Sequence, residues 1–303
     1  MKSETEKKIV CSLCPRKCGA ERTASSNKGG FCGLPLLPAV CRAAPHYWEE
    51  PCLSGRRGSG AVFFSGCTLR CEYCQNAEIS RDYRGRRMNA RELAGLFAEL
   101  EESGVHNINL VSPTPYYTTI IEALAIRKPG VPVICNTSGY ERVETLKSLE
   151  GLIDIYLPDL KYAGGRLAKE YSDAEDYPEH AAAALKEMYR QAGKASYDAD
   201  GMMISGMIIR HLVLPGNTEN SLDALDMISR IVPRDVPLSI MAQYFPTGNE
   251  KHPELARRLT PEEYEKVTGY ALMLGFTNSY IQQPDSADKS YVPGFDTTPI
   301  PCP

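Results

Sequence analysis

The chain has 303 residues, 43% of them hydrophobic and 24% charged, with a formal net charge of −4. That balance fits a soluble globular protein of one large or two ordinary domains, and it excludes collagen, coiled coil and wholesale disorder. No apolar run approaches the roughly 18–20 residues a membrane span needs, and the first ten residues hold no apolar signal core. A cytoplasmic protein without a membrane partner is therefore expected. The charge is uneven, with 16 Lys/Arg against 8 Asp/Glu up to residue 91 and 18 against 30 beyond it. A basic front half can attract an acidic partner or can simply be solvated.

Residues 1–58 are rich in Gly, Pro, Cys and Arg and show little periodicity. They read as a cysteine-rich segment held together by metal rather than by a large core. Eleven cysteines occur in the chain, nine of them in the first 74 residues. Clustered thiols without a secretory signal point to metal rather than to disulfides. Cys11, Cys14, Cys18 and Cys32 make a complete four-thiolate set. Structural zinc and an iron–sulfur cluster both remain open for it, and Cys52 could replace one of the four. Cys41, Cys135 and Cys302 stand apart and read as small buried hydrophobes.

The character changes after Gly58-Ser59-Gly60, where a second unit over 59–303 begins. A short buried strand is expected at 61–65. Asn89-x-x-Glu92 is a variant capping box, followed by Leu93, Leu96, Phe97 and Leu100 at helical spacing and by Gly104 as a stop. Further strands are expected at 107–111, 131–135, 153–157, 207–214, 238–243 and 279–283. Helices fall between them at 118–127, 141–149, 179–191, 219–231 and 261–274. The connection from 162 to 206 reads as an elaborated loop with one helix. Strands alternating with helices imply an α/β fold built as a full or partial (β/α) barrel.

In such a barrel, function gathers on the loops after the strands. Cys67 follows the first strand, Ser112 and Thr114 the second, Asn136 and Ser138 the third, and Asp159 and Lys161 the fourth. Arg210 and His211 lie within the fifth strand, and Gln243 closes the sixth. Strand neighbours alternate, so one of Arg210 and His211 faces the mouth; Arg210 is expected there, with His211 packed. Asn136 and Ser138 read equally well as turn formers.

The loop Cys67-x3-Cys71-x2-Cys74 supplies three of the four ligands a cubane needs and leaves one iron open. With Tyr73 before its last cysteine, it resembles the cluster loop of the radical S-adenosylmethionine (SAM) enzymes. Pro45-His46-Tyr47-Trp48-Glu49-Glu50-Pro51-Cys52, Asn136-Thr137-Ser138-Gly139-Tyr140-Glu141, Tyr156-Leu157-Pro158-Asp159-Leu160-Lys161-Tyr162 and Arg210-His211-Leu212-Val213-Leu214-Pro215-Gly216 are similar to blocks of the pyruvate formate-lyase activating enzyme-like iron–sulfur branch.

The resemblance implies a [4Fe-4S] cluster on Cys67, Cys71 and Cys74 with SAM on the open iron. One-electron cleavage of SAM would then yield a 5′-deoxyadenosyl radical that takes a hydrogen atom from its target. It further implies Tyr73 near the adenine, Asp159 and Lys161 at the ribose and carboxylate end of SAM, and Arg210 with a similar task. Ser112 and Thr114 stand where many members carry a Gly-Gly-Glu-type stretch that receives the SAM amino group. In activating enzymes the target is a backbone glycine of a glycyl-radical enzyme. Ser138-Gly139-Tyr140 superficially matches such a target, but the chain is too short for that class, so the target lies in another protein.

Arg81, Arg84, Arg86 and Arg87 could dock an acidic electron donor such as flavodoxin or ferredoxin, or form a solvated face. Nucleic acid is disfavoured, because no stacking platform accompanies the charge. Three functions remain: a glycyl-radical-enzyme activase, a radical SAM enzyme modifying a small molecule or peptide itself, and a non-catalytic iron–sulfur or zinc protein.

Overall fold

The computed structural model describes residues 8–248, 250–283, 287 and 293–295. Cys302, expected to be a buried hydrophobe, lies outside them.

Four parallel strands run side by side in chain order: Ser59–Phe64, Ile108–Val111, Val133–Thr137 and Ile155–Pro158. Each is short, apolar and almost wholly buried, as strands covered on both faces must be. Met203–Met207 adds in parallel beside Ile155–Pro158. Ile209–Leu212 then pairs with Leu238–Met241, which pairs with Ser279–Ile281. A bridge between Asp159 and Arg210 joins the two ladders, with the Leu160 N–H donating to the Arg210 carbonyl at 2.8 Å. The result is a (β/α) barrel of the partial kind, one of the two forms expected. Among the described residues no ladder joins Ser279–Ile281 to the first strand or to its antiparallel neighbour Ala39–His46, so the arc stays open.

Helices cover the outside of the arc. Ala90–Glu102 begins at a true capping box: the Asn89 side chain accepts from the Arg91 and Glu92 N–H groups, and the Glu92 carboxylate takes the Asn89 N–H at 2.8 Å. Its Leu93, Leu96, Phe97 and Leu100 are buried. Pro261–Met273 starts with a second such box on Thr260 and Glu263. No helix among the described residues is long and apolar enough to cross a membrane.

Three sequence expectations need correction. Ala39–His46, left irregular on sequence, is an eight-residue strand antiparallel to Ser59–Phe64. Its small residues and Pro45 hide any alternation. The expected strand 207–214 is two pieces that begin earlier, Met203–Met207 and Ile209–Leu212. Gly206, at φ +119°, sits where a side chain would strike the backbone of Ala195 on the incoming hairpin. The 162–206 connection carries two helices, Gly165–Ser172 and Tyr177–Ala192, and the edge pair Ser196–Tyr197. Gly165–Ser172 buries only Ala168, Tyr171 and Ser172, too few apolar positions to betray a helix.

Candidate functional site

The ends of the third, fourth and fifth strands converge on one polar network. Arg210 is its centre. Its Nε donates to Asp159 Oδ1 at 3.0 Å, Nη1 to Glu49 Oε2 at 3.2 Å and Nη2 to Asn136 Oδ1 at 2.7 Å. Lys161 Nζ donates to Asp159 Oδ2 at 2.6 Å. Asn109 Nδ2 reaches the other oxygen of Glu49 at 2.8 Å. Asp159 and Glu49 thus face the two cations inside the barrel, and burial pushes the Glu49 carboxyl up from its ordinary range while Arg210 opposes the shift. Burial pushes the Asp159 carboxyl up, but Lys161 and Arg210 outweigh it and hold the group below the usual carboxylate range. Burial likewise opposes the charge of Lys161, and Asp159 and the Cys71 thiol together keep it protonated.

His211 points the other way, as alternation requires. Its Nδ1 lies 2.6 Å from the Leu160 carbonyl and its Nε2 2.8 Å from Ser221 Oγ. The carbonyl can only accept, so the proton sits on Nδ1 and Ser221 donates to Nε2. Burial pulls its pKa down to about 4.

The cysteine loop crosses the mouth beside this network. Ser172 Oγ donates to Cys71 Sγ at 2.9 Å, and Ser80 Oγ lies 3.4 Å from Cys74 Sγ. Burial, with the neighbouring Cys71 and Cys74, pushes the Cys67 thiol up to about 12, against the opposing pull of the Leu69 N–H and the Lys161 ammonium. Three mutually repelling thiols beside a buried cation suit metal ligation, since a bound metal deprotonates them outright. Among the described residues no three Cys, His, Asp or Glu side chains close around a single ion. A cubane does not ask for that, because each thiolate holds a different iron. The loop therefore fits the group.

A cavity of about 440 Å³ opens over the network, with Trp48, Glu49, Glu50, Asn136, Arg210 and Gln243 in its wall. Gln243 accepts on its carbonyl from Gln75 of the cysteine loop at 2.7 Å. Glu50 is buried, and its Oε2 has no partner.

Asn136, Asp159, Lys161 and Arg210 are thus brought together as sequence position suggested. The others are placed differently. The Thr114 hydroxyl turns inward to Glu141, as does that of Thr137. Burial lifts the Glu141 carboxyl to about 7 despite these bonds. Ser112 has φ +59° and donates its N–H to the Asn136 carbonyl at 2.9 Å, tying the second strand's end to the third. Ser138 offers its carbonyl to the Tyr177 hydroxyl at 2.9 Å. Tyr73 is walled in by Tyr162, Tyr171 and Tyr244, with ring centroids 6.3–6.5 Å away, and does not line the cavity.

Cys11, Cys14, Cys18 and Cys32 line one small cavity together. Cys52 does not join them, because it packs with Leu53, Ile134 and Ile155. Cys41 and Cys135 are buried as expected. The arginine run is locally engaged: Arg84 pairs with Glu78 at 2.8 Å, Arg87 lies over Tyr83, and Arg81 donates to the Cys71 carbonyl at 3.3 Å.

Sequence reasoning missed Glu49 and Asn109. The signal for Glu49 was its place in an acidic pair within a front half short of acids. Asn109 had none, being one polar residue inside an apolar strand.

Comparison with known proteins agrees with this fold. The chain is 28% identical over 280 residues to MJ0674 of Methanocaldococcus jannaschii, covering 88% of this chain and 76% of that protein. It is 25% identical over 164 residues to MJ0808 of the same organism, covering 48% of this chain and 47% of that one. Its fold is similar to Streptococcus suis SuiB bound to the precursor peptide SuiA, with a TM-score of 0.53 at 16% identity over 72% of this chain. SuiB bound to S-adenosylmethionine gives the same TM-score at 14% identity. The chain spans about half the length of SuiB. The profile of the radical SAM superfamily matches residues 61–228, from the first barrel strand to the helix after the fifth. With more than half of its length so matched, the chain belongs to the radical SAM superfamily.

Proposed function

We propose that this radical SAM enzyme takes a hydrogen atom from a polypeptide, as the activase of a glycyl-radical enzyme. The observation that carries the SAM site is the Asp159–Lys161–Arg210–Asn136 network beside Cys71 and under an open cavity. Cys67, Cys71 and Cys74 would hold a [4Fe-4S] cluster, which would supply the electron for reductive cleavage of SAM to methionine and a 5′-deoxyadenosyl radical. The protein's own residues hold and orient the cofactor. Lys161 and Arg210 are the cations available to the carboxylate of SAM. Asp159 keeps spare lone pairs for ribose hydroxyls while both its oxygens are in use.

A polypeptide target is supported by the open mouth, where Tyr47 and Trp48 stand 54% and 60% exposed beside the acidic pair. Exposed aromatics of this size commonly serve as contact surface. A second reading, direct modification of a peptide, is favoured by the likeness to SuiB with its precursor peptide. In either case an acidic one-electron donor of the flavodoxin or ferredoxin type would approach from the basic side of the cysteine loop.

The test uses the anaerobic, iron-loaded, reduced protein with SAM and candidate polypeptides deuterated at glycine Cα. Deuterium in 5′-deoxyadenosine from the labelled polypeptide, together with an EPR doublet on the same polypeptide in unlabelled form, supports the activase. Deuterium arriving only from labelled side chains moves the choice to peptide modification. Label transfer from a metabolite and from no polypeptide overturns both.

A further inference from the structure

The cavity over Arg210 contains an acid that the SAM site leaves unused. Glu50 is 8% exposed, lines the cavity, and its Oε2 has no hydrogen-bond partner. It follows Trp48 and Glu49 and caps the short helix Pro51–Ser54, where its carbonyl accepts the Leu53 N–H at 2.7 Å. The backbone is thus fixed, and the carboxyl group is held at the cavity wall. We propose that Glu50 anchors the molecule that gives up the hydrogen atom, by receiving an ammonium or guanidinium group of that molecule. The anchor rests on the reading of this cavity as the place where SAM meets its target.

Charge is uneven around this group. Among the described residues of the cavity wall, Glu49 and Glu50 are the acids and Arg210 is the one full cation. The three nitrogens of Arg210 already donate to Asp159, Glu49 and Asn136. His46 shares the wall, but burial pulls its pKa down to about 4 and leaves the ring neutral at pH 7. The wall therefore carries one acid more than it has cations to pair. Burial pushes the Glu50 carboxyl up; Arg210 opposes the shift, Glu49 adds to it and the Ser239 hydroxyl opposes it. A buried carboxylate in this position is costly until a cation reaches its free oxygen.

This anchor belongs to the target rather than to SAM. The Cys71 thiol acts on Lys161, Lys161 bonds Asp159, Asp159 bonds Arg210, and Arg210 feels the charge of Glu50. The series starts at the cysteine loop, to which the amino-acid end of SAM belongs, and ends at Glu50. Ser239, beside Glu50, pairs in register with Arg210 on the neighbouring strand. The Glu50 carboxyl thus lies beyond Arg210 as seen from the metal ligands.

Trp48 and Tyr280 line the same wall. Aromatic rings attract cations, so they add to the selection that the carboxylate begins. A neutral amide could bond the free oxygen, but it would leave the extra acid without a counter-charge. The side chain of a lysine or arginine in a polypeptide meets both demands, and so does a free amine.

Two short peptides test the anchor before the natural target is known. Acetyl-Gly-Lys-Gly-amide and its norleucine analogue differ by the ammonium group. Each is titrated into the anaerobic, iron-loaded protein, with and without SAM, by calorimetry and by the fluorescence of Trp48, the single tryptophan of the chain. Wild type should bind the lysine peptide more tightly by about tenfold or more, with a change in Trp48 emission. Glu50→Gln should lose most of that preference, and Glu50→Asp should keep part of it. Equal binding of the two peptides, a preference that survives in Glu50→Gln, or no binding of the lysine peptide to the wild type overturns the anchor. Glu50→Gln should also unfold at a temperature no lower than wild type, because it removes a buried charge that nothing offsets. A clear fall would make Glu50 a structural residue and overturn the assignment. Butylammonium as a third probe separates the sources of the cation: tighter binding of the peptide supports a polypeptide, and equal binding supports an anchor for free amines. Titration of SAM into the same preparations keeps the two readings apart. Peptide preference without SAM binding sinks the SAM site and spares the cation site, and SAM binding without peptide preference does the reverse.

Discussion

Arg210 and Asp159 lock the fourth strand to the fifth twice over, through a backbone bridge and through a 3.0 Å ion pair between their side chains. The same guanidinium also holds Glu49 and Asn136, so one residue sets the spacing of three elements around the mouth. Arg210→Met should therefore cost about 3–5 kcal/mol of stability, the scale for stranding a buried partner. It should also weaken SAM binding by more than tenfold. Thermal unfolding and equilibrium binding of SAM check the two parts separately.

Cys71→Ala removes the thiolate that Ser172 and Lys161 face. The cluster on this loop and SAM cleavage should vanish together, while far-ultraviolet circular dichroism stays that of the wild type. Cleavage that persists without the cluster would falsify the site.

Lys161 acts on both the metal and SAM. Its ammonium is close enough to Cys67 and Cys71 to lower their pKa values against burial. In Lys161→Met the cluster should assemble normally but become harder to reduce. The shift expected for losing one nearby charge is on the order of tens of millivolts, read by EPR potentiometry. SAM affinity should fall in parallel. An unchanged potential would remove Lys161 from the surroundings of the cluster.

Gly139 has φ +77°, and a side chain there would run into the Asp159 carbonyl oxygen. Gly139→Ala should displace the Asp159–Lys161 turn and weaken SAM binding at least tenfold with little loss of iron. Isothermal titration with SAM beside iron quantification distinguishes this from general unfolding.

His211 carries the clearest pH dependence. Its pKa is pulled down by burial from 6.5 to about 4, so the folded state prefers the neutral ring. The associated stability is fully present above pH 6.5 and is lost as pH falls through about 4, amounting to about 3 kcal/mol at most. Unfolding temperatures of wild type and His211→Gln, compared between pH 7.5 and 4.5, should diverge at the high end and converge at the low end.

The βα alternation and the loop that carries the metal chemistry were legible because both rest on local pattern. Apolar runs mark strands, and three cysteines within eight residues mark the loop. The alternation of Arg210 and His211 was legible for the same reason. What escaped was set by distance in space. Glu49 enters the site from the turn after the strand Ala39–His46 and Asn109 from a strand interior, and only the folded sheet puts Glu49 against Arg210 and Asn109 against Glu49. Thr114 shows the converse: its place after the second strand suggested a cofactor contact, but the buried carboxylate of Glu141 captures its hydroxyl. Helix Gly165–Ser172 escaped because its stability comes from what it packs on rather than from its own periodicity.

The unclosed side of the strand arc has a mechanical consequence. A fully closed cylinder can widen only by breaking main-chain hydrogen bonds, whereas a horseshoe can flex apart at its gap with its ladders intact. The cavity wall draws on both sides of that gap, His46 from one and Tyr280 and Ile281 from the other. The bore over Arg210 can thus adjust to the girth of what enters.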